Sequence, residues 1–387
     1  MVRPEFRPFP ITITGGNNFY VKSGKRYMLD FSGSAMTTGY NFIKSEWLEP
    51  TVSRLVFKNQ YTDKLKQLLI KTSGFSNVAF STSGTEACDT ALSRYGKPII
   101  ALEGAYHGLT FLTKTVSNGT GYDAENKIIH LRCPSNNISV EEAMAYNNEL
   151  VNKVPIKLNG GTLIMELIQS DGGVNILPQQ FIKALFEMAE KFEMHTIVDE
   201  VYTGFGRSGE MFLFKKYGID PEMVCIGKGM AAGLPLGAVL YRNYWDLPYN
   251  DVVSMQAGNM FISKVAIEVI KKLDEKRLDF VRTKGKDIID RLSRIKNSKI
   301  LSARGKGFMM GVELVDDKGN PDGSYALKIR NRLFKNNVIC SLTGGANHVL
   351  KITPPVLIDE GSLNMGIFTL NTSQLSIPIP AISVPVL

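Results

Sequence analysis

The sequence has no run of about 18 uncharged apolar residues, so no membrane-spanning helix is expected. No apolar stretch follows the early positive charge at Arg3, and no secretory signal is expected there. Cysteine is scarce. Cys88, Cys133, Cys225 and Cys340 are scattered, with no CxxC pair. That spacing argues against a disulfide framework and a zinc site, and fits a reducing, cytoplasmic compartment. The histidines, His107, His130, His195 and His348, show no HExxH or other ligand spacing, so no metal is expected. No GxGxxG opens a helix after a strand with an acidic residue beyond it, which counts against a nicotinamide cofactor. There is no internal repeat and no low-complexity linker. The net charge is +8, but Lys and Arg are spread among Asp and Glu. The basic balance therefore reads as solvated surface, and neither nucleic acid nor a membrane is an expected partner.

What is present is a chain of 387 residues, long enough for about two domains. Apolar runs at 77–80, 98–102, 162–167, 195–199, 223–226 and 236–241 read as strands. Helical segments are expected between them, at 86–95 and 179–192 among others. Near-continuous apolar strands alternating with helices predict an α/β fold with a buried, mainly parallel sheet flanked by helices. The final third reads as a smaller α+β domain. It has one long polar helix over 263–294, a strand at 307–314, a helix at 324–336 and a strand at 349–353. A strand–turn–strand at 19–31 is expected to pack on it. The resulting division is 1–45, 46–255 and 256–387. The last residues, 376–387, contain three prolines and read as extended.

Three motifs carry chemistry. Ser83-Gly84-Thr85-Glu86-Ala87 lies between a strand and a helix. A helix N-terminus suits a phosphate, and Gly84 admits close approach; an ordinary N-cap is the competing reading. Asp199 ends a buried strand, where ligand sites of open α/β sheets lie. A buried carboxylate needs a partner, such as a protonated pyridine nitrogen, or serves as a cap. Gly227-Lys228-Gly229 follows another strand. Small neighbours let a bulky group approach the amine, which becomes a nucleophile toward a carbonyl when it loses its proton.

Together these motifs resemble the class III aminotransferases, fold-type-I pyridoxal-phosphate enzymes that include 4-aminobutyrate, acetylornithine and ornithine transaminases. Tyr106-His107-Gly108, Thr203-Gly204-Phe205-Gly206-Arg207, Arg304-Gly305-Lys306-Gly307 and Pro354-Pro355 fall in the family order, and the resemblance runs from about residue 20 to 359. It implies pyridoxal phosphate held by Lys228 as a Schiff base, with Asp199 keeping the ring nitrogen protonated. It implies Ser83, Gly84 and Thr85 at the phosphate. Tyr106 would lie on one ring face, with His107 beside it, and Val201 on the other. It also implies a homodimer, with the site at the subunit interface, that passes an amino group from a small amine donor to a 2-oxo acid.

Several residues depart from the family pattern. Tyr202 stands where glutamine is usual, and its phenol is expected at the cofactor's ring oxygen. Asp171 replaces a glutamate that switches between substrates, and Lys351 replaces the arginine that answers it. Leu109 follows Tyr-His-Gly, which argues against acetylornithine and ornithine as substrates. Met255 stands for a threonine that reaches the partner's phosphate, with Ser254 or Gln256 as substitutes. Tyr40, Phe42 and Trp47 read either as an entrance or as packing. The leading expectation is transamination with a 4-aminobutyrate-like donor. An amino acid racemase or a glutamate-1-semialdehyde-type aminomutase is the runner-up, and a non-catalytic cofactor binder the third reading.

Overall fold

Apolar side chains on both faces of a strand require cover on both sides, and the large sheet is built on that rule. The computed structural model describes residues 9–34, 37–52, 57–135, 138–242, 254–295 and 297–374. The chain opens with β1 (Gly15–Asn17), β2 (Tyr20–Ser23) and β3 (Arg26–Asp30), an antiparallel run. Helix α1 (Gln60–Ser73) follows, capped by Asn59, whose side chain accepts the Thr62 N–H. Then come β4 (Asn77–Ser81), α2 (Gly84–Arg94), β5 (Ile99–Leu102), α3 (Phe111–Thr115), β6 (Gly121–Asp123), β7 (Ile128–Leu131), α4 (Val140–Lys153) and β8 (Thr162–Glu166). A short ribbon, β9 (Ile168–Gln169) with β10 (Asn175–Ile176), leads to α5 (Gln179–Lys191), β11 (His195–Asp199), α6 (Leu213–Tyr217), β12 (Met223–Ile226) and β13 (Gly237–Tyr241).

Eight of these strands form one sheet in the order β4-β13-β12-β11-β8-β5-β7-β6. Its centre, β12-β11-β8-β5-β7, is parallel. β13 runs antiparallel to both β12 and β4. Alternation divides the side chains: Ile164, Ile197, Met223 and Cys225 join a cluster with Ala87, Cys88 and Ala91 of α2. Met165, Val198, Val224 and Ile226 face the opposite side, with Phe181 and Leu185 of α5. By the same period of two, Glu166 and Asp199 point to the α2 face.

The helix expected over 263–294 is two helices, α7 (Met260–Lys271) and α8 (Glu275–Ser293). The break has a local cause. Asp274 is extended and its side chain accepts the Arg277 N–H, an N-cap in mid-segment. α7 is apolar and buried rather than polar, and it packs against α1 and the Lys228 turn. Beyond it lie β14 (Ile300–Lys306), which the sequence reading missed, β15 (Met309–Leu314), α9 (Gly323–Lys335), β16 (Val338–Ile339), β17 (Ser341–Thr343), β18 (Val349–Ile352) and α10 (Glu360–Gln374). These make a second sheet, β14-β15-β18-β17, while β16 pairs in parallel with β3. The stretch 376–387 read as extended lies outside the described residues.

Candidate active site

The C-terminal ends of the parallel strands, with the turns that leave them, open into a cavity of about 340 Å³. Its walls include Ser83, Gly84, Thr85, Tyr106, His107, Asp199, Val201, Tyr202 and Lys228, all singled out in the sequence, and Asp171. Glu166 and Ser170 complete the lining. Ser83 is the N-cap of α2, its side chain accepting the Glu86 N–H at 3.1 Å. The competing cap reading is therefore realised. It does not exclude an anion, because the first-turn N–H groups of a helix have no intrahelical acceptor and Gly84 and Thr85 line the cavity. Gly84 is required by contact: an added Cβ would lie 2.4 Å from Val201 Cγ1. Gly237 is required too, since its Cβ would sit 2.2 Å from the Ser83 carbonyl oxygen. Lys228 follows β12 and has φ 37°, a left-handed conformation unusual for a side chain of this kind.

Asp199 is buried and accepts on both oxygens. The Val201 N–H donates to Oδ1 at 2.9 Å, and His107 Nδ1 (2.8 Å) and Cys88 Sγ (3.3 Å) meet Oδ2. Burial alone would lower the His107 imidazole. Hydrogen bonds to Asp199 and Cys88, with the Asp199 charge, overcome it and raise the group from 6.5 to about 10. Burial pushes Asp199 up, but the bond to His107, the His107 charge and the Lys228 charge hold it below the usual carboxylate range. The result is an imidazolium–carboxylate pair. His107 Nε2 is buried without a hydrogen-bond partner among the described residues.

Lys228 Nζ lies 4.8 Å from the Tyr202 ring centroid and Lys351 Nζ lies 5.0 Å from it. Burial raises the Tyr202 phenol, but the charges of Lys351, Arg207 and Lys228 and a hydrogen bond with Thr353 bring it below its ordinary value. Lys351 Nζ is buried 3.6 Å from Asp171 Oδ1 and donates to Ser170 Oγ at 3.2 Å. Asp171 and Lys351, paired in the sequence reading, thus meet in the structure. Leu109, Phe111 and Met255 are exposed. Tyr40, Phe42 and Trp47 line a different hollow, with Phe19 and Lys272. The ring of Phe42 packs edge-on against Trp47 at 5.4 Å. Cys88, Glu166 and Ser170 were missed as site residues. Glu166 carried the one available signal, since it ends an apolar strand as Asp199 does.

The large mainly parallel sheet with a second, smaller sheet is the fold-type-I architecture of pyridoxal-phosphate transaminases. An aminotransferase from Bacillus anthracis superposes with a TM-score of 0.84 at 22% identity, covering 97% of this chain and 96% of that one. A phospholyase from Arthrobacter in complex with phosphoethanolamine gives 0.86 at 21%, covering 98% and 97%. The sequence goes further than the fold. A family model described as Aminotransferase class-III matches residues 4–372, and the chain belongs to that pyridoxal-phosphate-dependent family. Among its relatives, the acetylornithine/succinyldiaminopimelate aminotransferase of Buchnera aphidicola is 30% identical over 93% of this chain and 91% of its own. The alanine/serine racemase of Pyrococcus horikoshii is 32% identical over 74% of this chain and 66% of its own.

The residues present fit the cofactor. The cavity offers a helix N-terminus to a phosphate, a buried carboxylate to a ring nitrogen and an amine to a carbonyl. Gly84 gives a test of that seat. Because a methyl group there must displace Val201, Gly84→Ala is expected to weaken pyridoxal-phosphate binding by about tenfold or more. Titrating cofactor-free protein with pyridoxal phosphate and following absorbance measures it; an unchanged dissociation constant would remove Gly84 from the phosphate seat.

Proposed function

We propose that this aminotransferase moves an amino group from an ω-amino acid or amino acid, of 4-aminobutyrate kind, to a 2-oxo acid in a two-step exchange. One observation carries the reading: a lysine amine and a buried, imidazole-backed carboxylate wall the same cavity at the end of a parallel sheet. When bound, pyridoxal phosphate supplies an electron-accepting ring that makes a proton on the donor carbon removable. Lys228 is assigned to hold the cofactor and to carry that proton at its Nζ. Asp199, oriented by His107, holds a proton at the ring nitrogen by its charge. Ser83, Gly84 and Thr85 are assigned to the phosphate, Tyr106 and Val201 to the two ring faces, and Tyr202, whose ring centroid lies 4.8 Å from Lys228 Nζ, to the ring oxygen. Lys351 is assigned to a substrate carboxylate. Its partner Asp171 is 45% exposed and can yield the contact.

The division into 1–45, 46–255 and 256–387 belongs to this proposal. The pairing of β3 with β16 supports it, while α7, counted in the last part, packs on α1 and the Lys228 turn of the middle part and argues for a later boundary there. A homodimer is supported by the exposed apolar Leu109, Phe111 and Met255, and a reducing cytoplasmic setting by four buried free thiols. The likeness to an alanine/serine racemase favours racemisation as the second reading.

The visible spectrum separates the two. The protein as purified, or after pyridoxal phosphate is added, is expected to be yellow. 4-Aminobutyrate or one member of an amino acid panel is expected to bleach it, and a 2-oxo acid to restore the band. A band that survives every donor, with loss of optical rotation and no need of an acceptor, would replace transamination with racemisation.

A further inference from the structure

Glu166 ends β8 as Asp199 ends β11, and the two are paired residues of adjacent parallel strands on the same face. Both are buried, at 4% and 5% exposure. Neighbouring buried carboxylates repel, so their environments must differ. Asp199 has His107 against it. Glu166 is held by main chain instead. Its Oε2 accepts the Tyr106 N–H at 2.9 Å and its Oε1 the Ser170 N–H at 3.2 Å. Those donors belong to two walls of the cavity, the connection after β5 and the turn after β9 that carries Asp171.

We infer that Glu166 is a positioning residue whose ionised carboxylate ties the Tyr106 wall to the Ser170–Asp171 wall and so sets the gap that a substrate enters. This rests on the reading of Tyr106 and Asp171 given above. An ionised carboxylate accepts at both oxygens equally; a protonated one keeps a hydroxyl that accepts poorly, and one of the two ties weakens. The titratable and charged groups facing Glu166 are Asp199 from β11, His107 beside Tyr106, Cys133 after β7 and Lys351 from β18. Burial and the Asp199 charge push its carboxyl up to about 7, against the His107 charge and the two N–H bonds. The tie is therefore complete above neutral pH and loosens as pH falls below it.

Amide hydrogen exchange of cofactor-free protein tests this without turnover, so it stands apart from the transaminase reading. Peptides carrying the Tyr106 and Ser170 amides are followed from pH 5.5 to 8.5, corrected for intrinsic rates, with the Val201 amide as internal reference. Protection at one or both sites is expected to fall by about tenfold toward the acid end, the scale of one hydrogen bond to a charged group, while Val201 holds. Glu166→Gln keeps the size but turns one acceptor into a donor. It is expected to show the lowered protection at every pH, and in the loaded enzyme to raise KM for the amino donor more than it lowers kcat. Wild-type protection that is flat across the pH range overturns the inference, and that series alone decides it should Glu166→Gln not fold. Exchange in Glu166→Gln equal to wild type overturns it as well.

Discussion

Lys228→Ala protein is expected to lose amino-group exchange by at least about a thousandfold, within the range that positioned proton transfer alone contributes. Two losses combine at one atom. Among the described residues that line the cavity, Lys228 carries the only amine. Without it, too, the proton has no carrier on that side of the site. Borohydride reduction followed by mass spectrometry should leave the cofactor mass on the wild-type chain and none on the variant. Turnover retained in Lys228→Ala would withdraw the assignment. The backbone adds a second expectation. Lys228 sits at φ 37°, where any side chain is strained and glycine is not. Lys228→Gly should therefore give a cofactor-free protein more resistant to denaturant than Lys228→Ala, although both are inactive.

Asp199→Ala is expected to lower the stability of the cofactor-free protein by about 3 kcal/mol, the scale for removing one member of a buried ion pair. It leaves His107 buried with its charge unanswered. The pH dependence distinguishes this cause from a simple cavity. His107 is raised from 6.5 to about 10, so the stability it gains from Asp199 is complete below pH 6.5 and is lost as pH rises through about 10. Asp199 is held below 3.8, so its share is complete above that value and is lost as pH falls through the depressed one. Wild-type denaturation midpoints should decline between pH 6.5 and 10, and the variant should lack that decline. Parallel curves for the two proteins would mean that His107 and Asp199 do not share charge.

Much of this was legible because buried parallel strands announce themselves. Residues 195–199 and 223–226 are apolar runs, and the chemistry sits where each run stops, at Asp199 and in the Gly227-Lys228 turn. The Asp171–Lys351 contact was legible through the family pattern, which gave two positions far apart in the chain a common purpose. Glu166 was not legible as a partner of Asp199, because their adjacency is a matter of register between β8 and β11 and no periodicity within either strand contains it. Cys88 has the same difficulty: its contact runs from a helix to the sheet beneath. The division of the 263–294 helix failed for a different reason. Charged residues on both sides of Asp274 continue a helical pattern, and only the capping hydrogen bond stops it.

β13 joins the strand that leads into Ser83 to the strand that leads into Lys228, pairing Gly237 with Ser81 and Ala238 with both Phe80 and Ile226. The span from the α2 N-terminus to the Lys228 amine is thereby read off a ruler graduated in whole residues. Surface connections elsewhere can lengthen or shorten without altering that measure. One residue inserted within β13 cannot do so gently, since it would turn every inward side chain of the strand outward. The cavity thus inherits its dimensions from backbone pairing, and side chains are free to vary around a gauge that does not.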